Sequence, residues 1–403
     1  MKKKLLMIDP PFPHPKKSPN HQDVLPIGLL KIGSYYKSVG YDVRLQRLSE
    51  SYDPIENFHP TEIKITSLFS YWSEYVKDAV DWAREHYPNV EVEVGGIFAS
   101  LQPKLCKEVT GCDSVYVGVM DEVEDCLPNY SLLSEEPSFQ IIHTSRGCNR
   151  KCHYCGVNCI EPQQTFLSSI KDKVLKKKLV FYDNNLLANP YIEDILRELI
   201  LLKSQRKITN CESQSGFDGR ILRRKPYLGE MLKRSGFVYP KIAWDGSVKS
   251  WKNRKKEIEI LEDSGFRRAD MSVFMLFNHD MLFSELELKR MYCWDWRVQV
   301  TPCRFRPYTQ LFDNYSGKKR NQTNDDYFIH PNWTDEEIKQ FNRNTRRHNM
   351  TVRFRAKYYA KSIEHRKISK EKQKEVRFME FSEVIHHLDD AWNPAEFHYV
   401  EQV

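Results

Sequence analysis

No stretch of this 403-residue chain approaches the roughly 18 consecutive apolar residues that a membrane-crossing helix needs. A membrane span is therefore not expected, and neither is a signal peptide. The opening Met1-Lys2-Lys3-Lys4 leads into a short apolar run that stops at Asp9-Pro10-Pro11 and reads as a buried strand. Repeats of fixed period and low-complexity tracts are missing too. So is a large charge excess: 62 Lys and Arg face 55 Asp and Glu, for a net +7. That balance permits an RNA partner without arguing for one. Disorder is excluded by composition, since 40% of residues are hydrophobic and 12% aromatic. The expectation is a folded cytoplasmic protein of two or three domains.

What the chain does have is ten cysteines without an export signal. The cytosol keeps thiols reduced, so metal or redox chemistry explains them better than a disulfide framework.

The pattern is α/β. Residues 1–127 alternate short apolar runs with amphipathic stretches, placing strands at Leu5–Ile8, Tyr41–Leu45, Ile63–Phe69, Val90–Val94 and Ser114–Val117. Helices are expected from Leu25 to Val39 and from Glu74 to His86, completing a doubly wound, Rossmann-like domain. Turn-rich Pro128–Pro137 reads as a linker. A second series of six strands, at Phe139–Thr144, Leu179–Tyr182, Ile208–Cys211, Lys241–Trp244, Ser272–Phe277 and Arg297–Thr301, suggests a partial (β/α)6 barrel over 138–317. Residues 318–403 read as a helical C-terminal region, with Thr334 and Glu337 forming a capping box.

The sharpest signal is Arg146-Gly147-Cys148-Asn149-Arg150-Lys151-Cys152-His153-Tyr154-Cys155, a C-x3-C-x2-C run directly after a predicted strand. Three thiolates in one loop can hold three irons of a four-iron cubane and leave the fourth open to a small molecule. Gly147 permits the turn, and Tyr154 can lie against an adenine ring. Cys159 extends the run and is a candidate fourth ligand. A zinc knuckle is the competing account, although zinc sites usually add a second pair that this run lacks.

This loop resembles that of the radical SAM enzymes, in its position after the first barrel strand and in the aromatic residue before its third cysteine. The resemblance implies a 4Fe-4S cluster on Cys148, Cys152 and Cys155, bound S-adenosylmethionine, and an electron donor such as flavodoxin or ferredoxin. It places Asp183 and Asn184, in Tyr182-Asp183-Asn184-Asn185, near the methionine amine, and Asp245 near the ribose, where the family often has Glu. Cys303-Arg304-Phe305-Arg306-Pro307 resembles the M-R-x-x-P segment of some members. Two arginines at alternate positions can hold a carboxylate or phosphate, with pairing to Asp313 as the plainer account.

The first domain resembles the cobalamin-binding domain of the B12-dependent branch, on Pro10-Pro11, Leu25-Pro26-Ile27-Gly28, Gly40-Tyr41-Asp42-Val43 and Val94-Gly95-Gly96-Ile97. Gly95 and Gly96 would let a corrin approach the backbone. That likeness implies a methyltransferase acting on an unactivated carbon. The D-x-H-x-x-G motif that supplies a lower histidine ligand is absent, and a G-x-G-E turn reads Gly118-Val119-Met120-Asp121. A cobalamin-free radical enzyme that modifies RNA, peptide or small molecule is the alternative. Basic runs such as Lys249–Lys256 include Trp251, which can stack on a base, although solvated helix faces explain such runs more often. Cys211 and Cys293 read as buried structural thiols. The substrate and any catalytic residue are not written in the sequence.

Overall fold

The computed structural model describes residues 2–14 and 24–353. Its first sheet holds β1 (Lys4–Asp9), β2 (Asp42–Arg47), β3 (Glu62–Ser67), β4 (Val92–Gly96) and β5 (Ser114–Val115). All are parallel, in the order β2-β1-β3-β4-β5, so the direction of winding reverses between β1 and β3. Leu5, Leu6, Met7 and Ile8 are all fully buried, as a central strand covered on both faces requires. Helix Ser73–His86 buries Val76, Ala79, Val80 and Ala83, one stripe at helical spacing.

The second unit opens with β6 (Gln140–Ile142) and an antiparallel pair, β7 (Ser145–Arg146) with β8 (Thr165–Phe166), that the sequence pattern did not suggest. Then come β9 (Lys178–Phe181), β10 (Asn210–Ser213), β11 (Lys241–Ala243), β12 (Ser272–Phe277) and β13 (Gln299–Arg304). They form two three-stranded parallel sheets, β10-β9-β6 and β11-β12-β13. Isolated parallel bridges, Cys211 to Phe237 and Phe217 to Ile242, run between them. The result is an open arc of six β/α units, not a closed barrel. One core fills it, joining Leu196 and Leu199 of helix Ile192–Ser204 to Phe181, Phe237 and Met275.

The linker read at residues 128–137 is anchored near its start, where Tyr130 is buried with Leu25, Leu30, Phe139, Ile141 and Val180 and its hydroxyl accepts from the Ile141 amide, while residues 134–136 are exposed. The 318–403 region is not simply a helical tail. Its described part runs irregularly to the helix Asp335–Arg353, whose capping box forms as read: Glu337 N donates to Thr334 Oγ1 and Thr334 N to Glu337 Oε2. Ile338, Phe341, His348 and Val352 of that helix are buried, and His348 meets the Val298 carbonyl at 2.8 Å. The helix is thus part of the barrel wall, while residues 354–403 lie outside the described part. No described helix is long and apolar enough to cross a membrane.

Candidate functional site

The cysteine loop leaves β7, turns through the short helix Val157–Ile160 and returns as β8. Gly147 takes φ 70°, and a Cβ there would sit 2.5 Å from the Gln163 carbonyl oxygen, so the turn tolerates no side chain. The Gly147 amide donates to Glu161 Oε2 at 2.6 Å, and Asn184 Nδ2 donates to the same oxygen at 2.8 Å. Arg146 bridges Glu161 and Glu124, and Glu124 also accepts from Lys31. This chain of charges ties the loop to β9 on one side and to the first unit on the other. On the far flank Arg150 pairs with Asp218, which caps the helix Gly219–Arg224.

Held at both flanks, the loop leaves Cys148, Cys152 and Cys155 partly exposed, and Cys159 more so. Arg150 N points at Cys148 Sγ from 3.4 Å. Burial pushes the Cys148 and Cys155 thiols up, so a positive metal centre would be needed to keep them as thiolates at neutral pH.

Beside the loop lies a cavity of about 680 Å³, within the usual range for small-molecule sites. Tyr154 and Val157 form its loop side, Leu276, Cys303 and Phe305 its barrel side, and Phe69, Tyr71 and Ile97 its first-unit side. Burial pushes the Tyr154 hydroxyl well up, and the carboxylate of Asp245 and thiol of Cys152 beside it add to this. Tyr154 and Asp245, apart in sequence, are thus close enough to interact electrostatically. Tyr308 Oη donates to the Tyr154 carbonyl at 2.6 Å and closes the cavity from the end of β13.

The remaining expected site residues are placed otherwise. Asp183 is 1% exposed, and its Oδ1 already accepts from Thr144 N, Thr144 Oγ1 and Ser145 Oγ. It fastens the strand ends, and burial raises its pKa. Its Oδ2 is buried without a hydrogen-bond partner among the described residues. Asn184 serves the loop through Glu161.

Arg304 and Arg306 do sit at the end of β13 on the cavity wall, but the anion they share is Asp313. Arg304 Nη2 bonds both Asp313 oxygens, with its guanidinium over the rings of Tyr315 and Tyr327. Arg306 Nε meets Asp313 at 2.6 Å and lies over Tyr71. Of the two accounts that the sequence left open for this pair, the ion pair with Asp313 is the one that forms.

At Gly96 a Cβ would lie 2.2 Å from the Ser67 carbonyl oxygen, so neighbouring strands already require a glycine there. Ser67 Oγ donates to the Gly95 carbonyl and accepts from Ala99 N, while Ser100 Oγ donates to Gly96 O and accepts from Gly118 N. Trp251 is stacked on Tyr292 at 5.2 Å and 9° and is partly buried against the core. Cys211 and Cys293 are buried, as read.

Glu161, Glu124 and Tyr308 were invisible in sequence because nothing local marks a residue whose partner lies far along the chain. His279, Asp280 and His330 also gather at the loop mouth, around His153.

No family model and no curated protein matches the chain. Among solved structures, a cobalamin-binding protein from Desulfitobacterium hafniense DCB-2 is similar over 28% of this chain and 52% of its own, with 12% identity and a TM-score of 0.21. The chain thus spans about half the length of that protein, and a likeness at this level carries no argument about ligand or activity.

Proposed function

We propose that the chain is a radical SAM enzyme, with Cys148, Cys152 and Cys155 holding a 4Fe-4S cluster whose open iron takes the amino acid end of S-adenosylmethionine. The observation that carries this reading is the three-thiol loop, fixed at both flanks, opening beside a cavity of about 680 Å³ at the ends of β12 and β13. The donor set fits the group: partly exposed sulfurs in a turn that excludes side chains, with a backbone amide aimed at one of them. When bound, such a cluster supplies the electron for reductive cleavage of S-adenosylmethionine. The chain's own residues do the positioning. Glu161 holds the Gly147 turn, Tyr308 fixes the Tyr154 backbone, and Tyr154 with Phe305 lines the cavity.

Within this reading, the reaction we favour is methyl transfer to an unactivated carbon with a cobalamin between the two units. The apolar face that Phe69, Tyr71 and Ile97 turn toward the cysteine loop supports it. A cobalamin-free radical enzyme is the second reading, favoured by the closed hydrogen bonding around Gly95 and Gly96. Anaerobic reconstitution with iron counting and electron resonance tests the class. Zinc in place of iron would make the chain a metal-binding module instead. Dithionite-reduced protein that forms neither 5′-deoxyadenosine nor S-adenosylhomocysteine would defeat the activity. A visible spectrum after hydroxocobalamin loading separates the two reactions: corrin bands support methyl transfer, and deoxyadenosine alone without them supports the second reading.

A further inference from the structure

At the end of β12 the chain makes a turn that is fixed in unusual detail. Asn278 is fully buried and takes φ 57°, the left-handed region that Asn tolerates better than most side chains. Its Nδ2 donates to the Phe328 carbonyl at 2.8 Å, and its Oδ1 accepts from His330 N at 2.8 Å. The next three carbonyls are each held by a side chain: Trp333 Nε1 reaches those of His279 and Met281, and Asn332 Nδ2 that of Asp280.

This framework presents His279 and Asp280 to His153, which lies between Cys152 and Tyr154 in the cysteine loop. His153 Nε2 is 3.3 Å from Asp280 Oδ2, and His279 Nδ1 is 3.4 Å from the same oxygen. One ligand atom from each residue lies within 4.8 Å of the others. Bonds of about 2.0–2.2 Å to a tetrahedral zinc ion imply ligand-to-ligand edges of roughly 3.3–3.6 Å, and both edges to Asp280 Oδ2 have that length. His330 completes the arrangement in a different role. Its Nδ1 accepts from Asn332 N at 3.1 Å, so its proton is on Nε2, which faces Asp280 Oδ1 at 3.3 Å. A histidine in that tautomer orients the carboxylate and does not itself ligate.

We propose that His153 Nε2, His279 Nδ1 and Asp280 Oδ2 bind a divalent transition-metal ion of the zinc class, with a fourth position open to solvent. His153 and Asp280 are 71% and 68% exposed in their side chains, so the ion can enter without rearrangement of the core. Binding ties the Cys152–Cys155 turn to the end of β12. The site stands whether or not the cysteines hold iron.

The test uses the full chain carrying Cys148→Ser, Cys152→Ser, Cys155→Ser and Cys159→Ser, so that thiols do not compete. Cobalt(II) titration should give one ion per chain, with visible ligand-field bands, no sulfur charge-transfer band and displacement by zinc. Asp280→Asn and His279→Gln in that background should each weaken binding at least tenfold, and His330→Ala by roughly 10- to 100-fold. Affinity unchanged in Asp280→Asn and His279→Gln, or no binding by a chain of normal circular dichroism, overturns the site and leaves a hydrogen-bonded His–Asp cluster only. Should the four-serine chain not fold, Asp280→Asn in the unsubstituted chain gives the decision, because that exposed change should lower zinc stoichiometry by one equivalent; an unchanged count overturns the proposal. No readout involves iron or S-adenosylmethionine, so its failure is distinguishable from failure of the radical SAM reading.

Discussion

The parallel sheets of the two units end on the side where α/β proteins gather their ligands, and the units use those ends in different ways. At the ends of β3 and β4 the backbone groups are taken up within the chain, Ser67 and Ser100 holding the Gly95 and Gly96 carbonyls and the Ala99 and Gly118 amides, while Phe69, Tyr71 and Ile97 just beyond them add an apolar wall to the cavity. At the ends of β6, β12 and β13 it holds out side chains instead: the cysteine loop, the His279–Asp280 turn and the wall of the cavity. Strand ends in one chain can thus be finished as structure or left as chemistry. Small hydroxyl side chains able to satisfy the backbone finish the first sheet.

The largest way to break this contrast is to remove the open side's thiols. Cys148→Ala should take the reconstituted chain from about four irons to near background by chemical iron assay, with the fold retained by circular dichroism. A full cluster in that variant would mean the loop is ordinary structure. Next in size is Asp313→Ala. If Arg304 and Arg306 belong to the fold, it strands a buried guanidinium and costs about 3–5 kcal/mol in urea unfolding. If they are reserved for a ligand, the variant should be stable and should bind sulfate more tightly than the parent.

Gly96→Ala probes the closed side and should cost about 3 kcal/mol, from a left-handed φ of 100° and the contact with Ser67. Gly246→Ala, in the open turn after β11 with nothing within 4 Å of the new carbon, should stay within about 0.5 kcal/mol. Equal effects in melting experiments would erase the distinction.

An effect smaller than that of Gly96→Ala concerns acid. His348 is fully buried against the last barrel strand, and burial pushes its pKa down to about 3. Below pH 6.5 the unfolded chain binds the proton that the folded chain refuses. The stability present above that pH is therefore lost as pH falls from 6.5 toward 3, by about 2 kcal/mol at pH 5. Urea midpoints at pH 7 and 5 should converge in His348→Gln relative to the parent, with the loss in the parent reported from the barrel.

The strands were legible because burial on a pleated surface leaves a pattern a few residues long; β12 at Ser272–Phe277 matches its sequence reading residue for residue. The cysteine loop was legible for the same reason, since its chemistry is packed into eight consecutive positions. Roles that depend on distant partners were not. Asp183 reads as a free carboxylate until Thr144 and Ser145 are seen around it, and Trp251 as a free ring until Tyr292 is. Asp280 sits in an unremarked Asn-His-Asp turn, and only the fold brings His153 and His330 to it.

The seam at Tyr130 bears on how the chain is made. Helix Ile27–Ser38 is translated early, yet part of its covering, Phe139, Ile141 and Val180, is not. At about 5–20 residues per second, the ribosome takes roughly seven to twenty-seven seconds to pass from position 45 to position 180. For that interval Leu25 and Leu30 have only part of their native cover, and a nascent chain stalled there would present an apolar patch to chaperones. The first unit is therefore expected to remain incompletely covered until the opening strands of the second emerge.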